Sequence, residues 1–433
     1  MQRFLAIDIG ASSGRHVVGW MEDGICKTEE VYRFPNGVKQ EGAHLTWDVE
    51  ELLRQVKVGI RFAFQRFGDL KSLSIDTWGV DYVRLQHGRT LLPCFSYRDS
   101  RTNLAVSKVH DLTPFDKLYN TTGCQFQPFN TIYQLYDDLL CGRLEGVTDI
   151  LMIPEYLIYR LTGVRLREYT NATTTGLVNV KTKEFDGDLI RRIGFPDYLF
   201  PKLAKPGCIA GKLLPEVERE VGGNCNVVLG ATHDTASAVE GIPMTTNAPY
   251  ISSGTWSLLG IKTPHAIVNT EGLRANFSNE GGIGYNRYQK NIMGLWLINE
   301  LKREICLDAS FNQITQMAQR SNCNVTVDAN KPVFLSPSSM KAAFDAEADG
   351  RLNSVGDYFR CAYRSLALCY RNAVSELERI TGITSDLLYI VGGGAKNEFL
   401  NDLTREATGK HVIALPIEAT ALGNLKVQME VKQ

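Results

Sequence analysis

Two stretches far apart in the chain share one plan. AIDIGASSGRHVVGW, starting at Ala6, and PYISSGTWSLLGIK, starting at Pro249, each read as an apolar strand, a Ser/Gly turn and a returning strand. A chain of 433 residues is too long for one ordinary core. One hairpin repeated in each half therefore predicts a duplicated α/β architecture. In the first half, residues 4–10 read as a strand, residues 11–15 as the turn, and residues 16–21 as the second strand. Glu22-Asp23-Gly24 is a hairpin signal into a third strand. A helix capped by Thr46 or Asp48 follows, with Leu52, Leu53, Val56, Ile60 and Phe64 at helical spacing. Residues 73–76 form the next strand. The second half carries a long helix over 355–380, a strand over 387–391 entering Gly392-Gly393-Gly394, a strand over 412–415, and a small-residue helix from Glu418 to Asn424. The segment 241–249, with Pro243 and Pro249, is the predicted boundary between domains 1–242 and 249–433.

Acids and bases nearly cancel, with a net charge of −1. A nucleic-acid partner is not expected, because phosphate-backbone binding needs a surplus of Lys and Arg. No apolar run approaches a membrane span. Asp8 interrupts the only apolar run near the N-terminus, which is not the pattern of a secretory signal. The 10 cysteines are scattered, with no CxxC pair, and read as reduced thiols of a cytoplasmic protein. The sequons at Asn171, Asn276 and Asn324 are then chance matches.

Three glycine-bearing turns follow strands: Gly10 to Gly14, Ser253-Gly254-Thr255, and Gly392-Gly393-Gly394. None is a Walker A loop, and Asn397 stands where a dinucleotide fingerprint needs its third glycine. Singly, each is a tight turn. Together, two hairpin turns can offer backbone N–H groups and hydroxyls to a polyphosphate. The glycine triplet lets the backbone approach a flat adenine or ribose. Asp8 lies within an apolar strand, where an unpaired carboxylate is costly. Hydrogen bonds to the adjoining hairpin would satisfy it. A Mg²⁺ ion beside the phosphate turn explains it better, since Mg²⁺ keeps most of its waters and takes one or two carboxylates. Trp78, between Asp76 and Asp81, reads equally as core or as an aromatic wall for a polyol. Asp234 leaves the apolar run 227–230 and precedes a helix, so it reads as an N-cap. Read alone it is most plainly that cap; within His233-Asp234-Thr235, at a strand exit, a catalytic base is the other reading.

These motifs, in this order, resemble the FGGY carbohydrate kinases of the actin-like ATPase superfamily. The resembling stretches are Gly10-Ala-Ser-Ser-Gly-Arg15, Asp76-Thr-Trp-Gly-Val-Asp81, Tyr97-Arg-Asp-Ser-Arg-Thr102, Phe129-Asn-Thr-Ile-Tyr-Gln134, Asn171-Ala-Thr-Thr174, His233-Asp234-Thr235, Ser253-Gly254-Thr255, Asn291-Ile-Met-Gly-Leu-Trp296, Gly392-Gly393-Gly394 and the run from Glu418 to Gly423. The resemblance implies two ribonuclease-H-like domains with the active site in the cleft between them. It implies that Ala11, Ser12, Ser13, Gly14, Arg15 and Thr255 hold the ATP phosphates and that Gly393 lies at the adenosine. Asn299 stands where the family is expected to place a Gln that touches ATP. Gly79, His233, Thr235 and Asn291 would contact the sugar, with Asp234 as proton acceptor and Mg²⁺ at Asp8. The implied reaction moves the γ-phosphoryl group of ATP to the 1-hydroxyl of L-rhamnulose, in L-rhamnose catabolism. Fuculose or xylulose is the alternative acceptor, and an actin- or chaperone-like ATPase the alternative class. The chain ends at Gln433, nine residues after Asn424, where the resemblance implies a longer last helix.

Overall fold

Alternation decides the first strand. In β1 (Phe4–Ile9), Leu5, Ile7 and Ile9 enter the core beneath the amphipathic helix Val49–Phe67, while Phe4 and Ala6 join Val17, Ala421 and Leu425 on the other face. Asp8 shares that second face by the same alternation. β2 (Ser13–Glu22) and β3 (Ile25–Pro35) continue the meander. Asp23 and Gly24, at φ 50° and 76°, supply the two positive φ angles of a tight hairpin. With β4 (Ser72–Thr77), β5 (Cys208–Lys212) and β6 (Asn226–Leu229), the sheet runs β5-β6-β4-β1-β2-β3. The pairs β1/β4 and β4/β6 are parallel, whereas β1/β2, β2/β3 and β5/β6 are antiparallel.

The second half repeats this plan. β7 (Tyr250–Ser253), β8 (Trp256–Thr263), β9 (Asn286–Met293), β10 (Leu387–Val391) and β11 (His411–Leu415) run in the order β9-β8-β7-β10-β11. β7/β8 is antiparallel, and β7/β10 and β10/β11 are parallel. Each repeated hairpin is thus the centre of its own α/β sheet.

The computed structural model describes residues 1–335, 337–415 and 418–431. It comprises two compact units. The first contains Met1–Pro243, Thr263–Arg287 and the chain from Ala419 onward; the second contains Met244–Lys262 and Tyr288–Glu418. No helix of the described residues is long and apolar enough to cross a membrane.

Local details sharpen three expectations. β2 begins at Ser13, because Gly14 and Arg15 pair in the ladder with Ile9 and Asp8. The first turn is therefore the tighter segment 10–12. Gly14 is dictated by packing, since a Cβ there would lie 2.2 Å from the Phe34 ring. Asp48, not Thr46, caps the helix Val49–Phe67, accepting the Glu51 N–H at 2.9 Å. Asp234 is not an N-cap: His233 holds that position, and Asp234 is the first residue of the helix Asp234–Glu240.

Candidate active site

The chemistry of the first unit gathers where β4 and β6 end. The β4/β6 pairing resumes beyond the end of β6: Thr77, the last residue of β4, bridges to His233 in parallel, and its N–H donates to the Thr232 carbonyl at 2.9 Å. Glu168 holds the Thr232 loop from below. Its buried carboxylate accepts the Thr232 N–H at 3.1 Å and hydroxyl at 2.9 Å, and also the N–H groups of Thr170 and Asn171. Asn171, fully buried, donates Nδ2 to the Thr232 carbonyl, so this sequon is structural. On the β4 side, Gly79 lies against Thr174, with which a Cβ would collide at 2.8 Å. Val80 adopts φ 67°, a strained angle for a β-branched residue that costs on the order of 1–3 kcal/mol. Three hydrogen bonds hold it there: its N–H to Thr174 Oγ1, and its carbonyl from Thr131 Oγ1 and Gln134 Nε2. Such strain marks functional turns.

Trp78 resolves toward the core. It is buried, and its Nε1 donates to Asp81 Oδ2 at 3.0 Å, beside the Trp47 Nε1 bond to the same oxygen. Burial pushes the Asp81 carboxyl up to about 6 despite these donors.

Asp234 Oδ1 accepts the Thr235 N–H at 2.6 Å and lies 3.5 Å from His233 Nε2. Oδ2 has no hydrogen-bond partner among the described residues. The side chain is 26% exposed, so this oxygen is reachable. Burial, with the Asp8 charge adding to it, raises the Asp234 carboxyl to about 6; His233, the Thr235 N–H and Arg287 oppose the rise. One oxygen is held, one is open, and the pKa lies close to neutral: these are the properties of a general base.

Two further carboxylates share this region. Asp8 and Asp76 are register partners on β1 and β4. Asp8 accepts from Arg15 Nε at 2.9 Å and Nη2 at 2.6 Å. The hairpin thus satisfies Asp8, and the guanidinium expected at ATP is engaged by it. Asp76 is fully buried. Its Oδ2 accepts from Asn424 Nδ2 at 2.5 Å, and its Oδ1 has no partner among the described residues. Burial, then the charges of Asp8 and Asp234, push the Asp76 carboxyl well above the usual range. Three mutually repelling carboxylates and an orphaned acceptor are a donor set that suits a hydrated divalent cation. Among the described residues, no group of three or more His, Cys, Asp or Glu is arranged to enclose a metal. In the first turn, Ser12 is exposed and Ala11 and Ser13 half-buried. Asn36 locks this turn, its N–H donating to the Ser12 carbonyl and its Nδ2 to the Gly10 carbonyl at 2.8 Å.

The second unit brings its own candidates together. β7 and β10 are adjacent, so Ser253-Gly254-Thr255 meets the glycine triplet. Gly392 and Gly394 are close-packing glycines, whose Cβ atoms would lie 2.8 Å and 2.0 Å from Ser253. A Cβ on Gly393 would meet only open space. Thr255 is exposed, and its carbonyl accepts the Trp296 N–H that opens the helix Trp296–Ile305. Asn299 lies half-buried in the first turn of that helix. Asn397 caps the helix Glu398–Thr408 through the Leu400 N–H. Asn291 is exposed on β9 in this unit, whereas Gly79, His233, Asp234 and Thr235 belong to the first.

The model of the FGGY carbohydrate-kinase N-terminal domain matches residues 3–241, and that of the C-terminal domain matches residues 249–430. The chain belongs to the FGGY family of carbohydrate kinases. It is 43% identical to a protein named Rhamnulokinase from Oceanobacillus iheyensis, over 98% of this chain and 92% of the relative. Its identity to a Rhamnulokinase from Bacillus subtilis is 40%, over 98% of this chain and 90% of that one. Among solved structures, it is similar to a ligand-bound xylulose kinase from Lactobacillus acidophilus, with TM-score 0.85, 16% identity, and coverage of 100% of this chain and 89% of that one. A Plasmodium falciparum glycerol kinase with ADP gives 0.80 at 15% identity, covering 99% and 89%. At these identities the structures establish the shared sugar-kinase fold. As an FGGY kinase, the chain takes ATP and a sugar as its substrates.

Several of the residues that shape this FGGY site have no local signature. Glu280 and Arg287 reach His233, Asn424 reaches Asp76, and Glu168 reaches Thr232, only through tertiary packing. Asp76 was the exception: it opens the stretch Asp76-Thr-Trp-Gly-Val-Asp81, which the sequence already singles out.

Proposed function

We infer that this protein phosphorylates L-rhamnulose at its 1-hydroxyl, forming L-rhamnulose 1-phosphate and ADP. The full-length similarity to several curated rhamnulokinases, at 37–43% identity, carries the substrate assignment. The open oxygen of Asp234 supports the chemistry.

Asp234 Oδ2 would accept the proton of the attacking hydroxyl while Oδ1 stays tied to the helix start. His233 and Thr235, flanking it, would hold neighbouring ketose oxygens, with Gly79 and Asn291 completing the sugar contacts. Ala11, Ser12 and Ser13 on one turn and Thr255 on the other would cradle phosphates, and the open face of Gly393 suits the adenosine. Asn299, near the start of a helix, is assigned to ATP. Gly14 and Arg15, next to that turn at the start of β2, would add to the ATP contacts, with Arg15 also setting the Asp8 carboxylate. Mg²⁺ would be held at Asp8, with Asp76 beside it, and would supply charge neutralisation to the phosphates. Residues 1–242 and 249–433 would be the functional domains, the first providing the sugar pocket and base and the second the adenosine site. All ten cysteines are free, which supports a cytoplasmic location.

A coupled assay of ADP release with L-rhamnulose, L-fuculose and D-xylulose tests the assignment. The highest kcat/KM is expected for L-rhamnulose. A clear preference for either other ketose would replace that substrate.

A further inference from the structure

Thr263–Arg287 follows the first half in sequence by more than a strand and a linker, yet folds with the first unit. Its last residue enters the sugar site. Arg287 is fully buried, and Nε donates to the Gly281 carbonyl at 2.9 Å. Nη1 donates to Thr235 Oγ1 at 2.8 Å. Nη2 donates to Glu280 Oε2 and to His233 Nδ1, each at 3.1 Å. Four of the five N–H donors of the guanidinium thus have named partners in the chain around it.

We propose that Arg287 and Glu280 are the positioning pair of the sugar site, fixing the tautomer of His233 and the hydroxyl direction of Thr235. A guanidinium has donors only. Nδ1 must therefore accept, and a singly protonated ring carries its proton on Nε2. Nε2 is the nitrogen that lies 3.5 Å from Asp234 Oδ1. Glu280 Oε2 lies 3.3 Å from the same Nδ1 and would favour the opposite tautomer. Arg287 prevents this by engaging both atoms through one nitrogen. Because Thr235 Oγ1 accepts from Nη1, its own proton turns away from Arg287, toward the imidazole or a sugar oxygen. The pair also explains the cost of burying a carboxylate at position 280: each charge satisfies the other. Neither residue need touch the reacting atoms. They determine which of the two flanking groups donates and which accepts, and so which ketose hydroxyl pattern fits.

The role in sugar selection rests on His233 and Thr235 being ketose ligands; the tautomer does not. The full-length protein with ¹⁵N-labelled histidine rings is measured by long-range ¹H–¹⁵N correlation, with His233 assigned by its loss in His233→Gln. An Nε2–H ring is expected in the wild type, changing to Nδ1–H or a mixture in Arg287→Met. An Nδ1–H ring in the wild type overturns the proposal and needs no variant to fold. In kinetics, Arg287→Met and Arg287→Lys are expected to raise the ketose KM by about ten-fold or more and to change the ATP KM by less than about two-fold. Lys should recover less than half of the loss, since one ammonium cannot span Thr235 and His233. An unchanged ketose KM in folded Arg287→Met also overturns it. If no ketose supports wild-type turnover, the substrate assignment fails while the ring measurement still decides the tautomer.

Discussion

Asp234 has a split environment: Oδ1 is fixed by the Thr235 N–H and Oδ2 is open. A base must be ionised to accept a proton, and its carboxyl is held at about 6. For the enzyme without bound sugar, kcat/KM is therefore expected to be full above that value and to fall about ten-fold per pH unit below it, as a pH–rate profile would show. A flat profile from pH 5 to 8 contradicts this. The same shift acts on stability. The folded state binds the Asp234 proton more tightly than the unfolded chain, whose carboxyl titrates near 3.8. The favourable contribution is complete below that value and is lost as pH rises through about 6. Above pH 6 the ionised group costs on the order of 1–3 kcal/mol, after allowance for its partial exposure. Asp234→Asn in metal-free buffer at pH 8 should thus raise Tm by a few degrees by calorimetry; a lowered Tm contradicts the account. His233, Asp234 and Thr235 were legible because three polar residues leave an apolar strand together. Whether Asp234 holds the N-cap position was not, since one residue of register at a helix start decides it.

The last helix, Ala419–Glu430, does more for the site than its small residues suggest. Gly423 approaches the helix Asp234–Glu240 so closely that a Cβ would lie 1.7 Å from the Ser237 carbonyl oxygen, and a Cβ on Gly241 would lie 2.0 Å from that of Ala419. Both obstacles are backbone, which cannot swing aside. The same helix reaches β4 and β1 through a buried chain: Ser72 to Gln428, Gln428 to Asn424 and to the Leu5 carbonyl, Asn424 to Asp76. Gly423→Ala is expected to cost about 1–3 kcal/mol in urea unfolding and to lower kcat about ten- to a hundred-fold by displacing the Asp234 helix. Normal stability and kcat would remove this role. Sequence periodicity anticipated the strands and the helix Val355–Thr381 because one face of each is continuously apolar. It placed the start of β2 late, because Ser13, Gly14 and Arg15 resemble a turn in composition and are held in the ladder by their partners on β1 and β3.

At the scale of the whole molecule, the duplication was readable from the repeated hairpin. The membership of the units was not: nothing local marks residues 263–287 and the last helix as belonging with the first half. The proposed division of labour has a direct signature in hydrogen exchange. A non-hydrolysable ATP analogue should protect the amides of residues 253–255 and 392–394. L-Rhamnulose should protect residues 77–80 and 232–236. At a hundred times Kd, slowing of up to about a hundred-fold is expected. Protection of residues 253–255 by the sugar alone would contradict the assignment. Above all, Asp234 is assigned as the base for transfer to a sugar. The most direct measurement compares ADP formation by wild type and Asp234→Asn, with and without L-rhamnulose, alongside calorimetric ATP binding. Sugar-dependent ADP formation is expected in the wild type, with a loss of about 10²–10⁴-fold in the variant and ATP affinity nearly unchanged. Near-normal, sugar-dependent turnover by Asp234→Asn would contradict it.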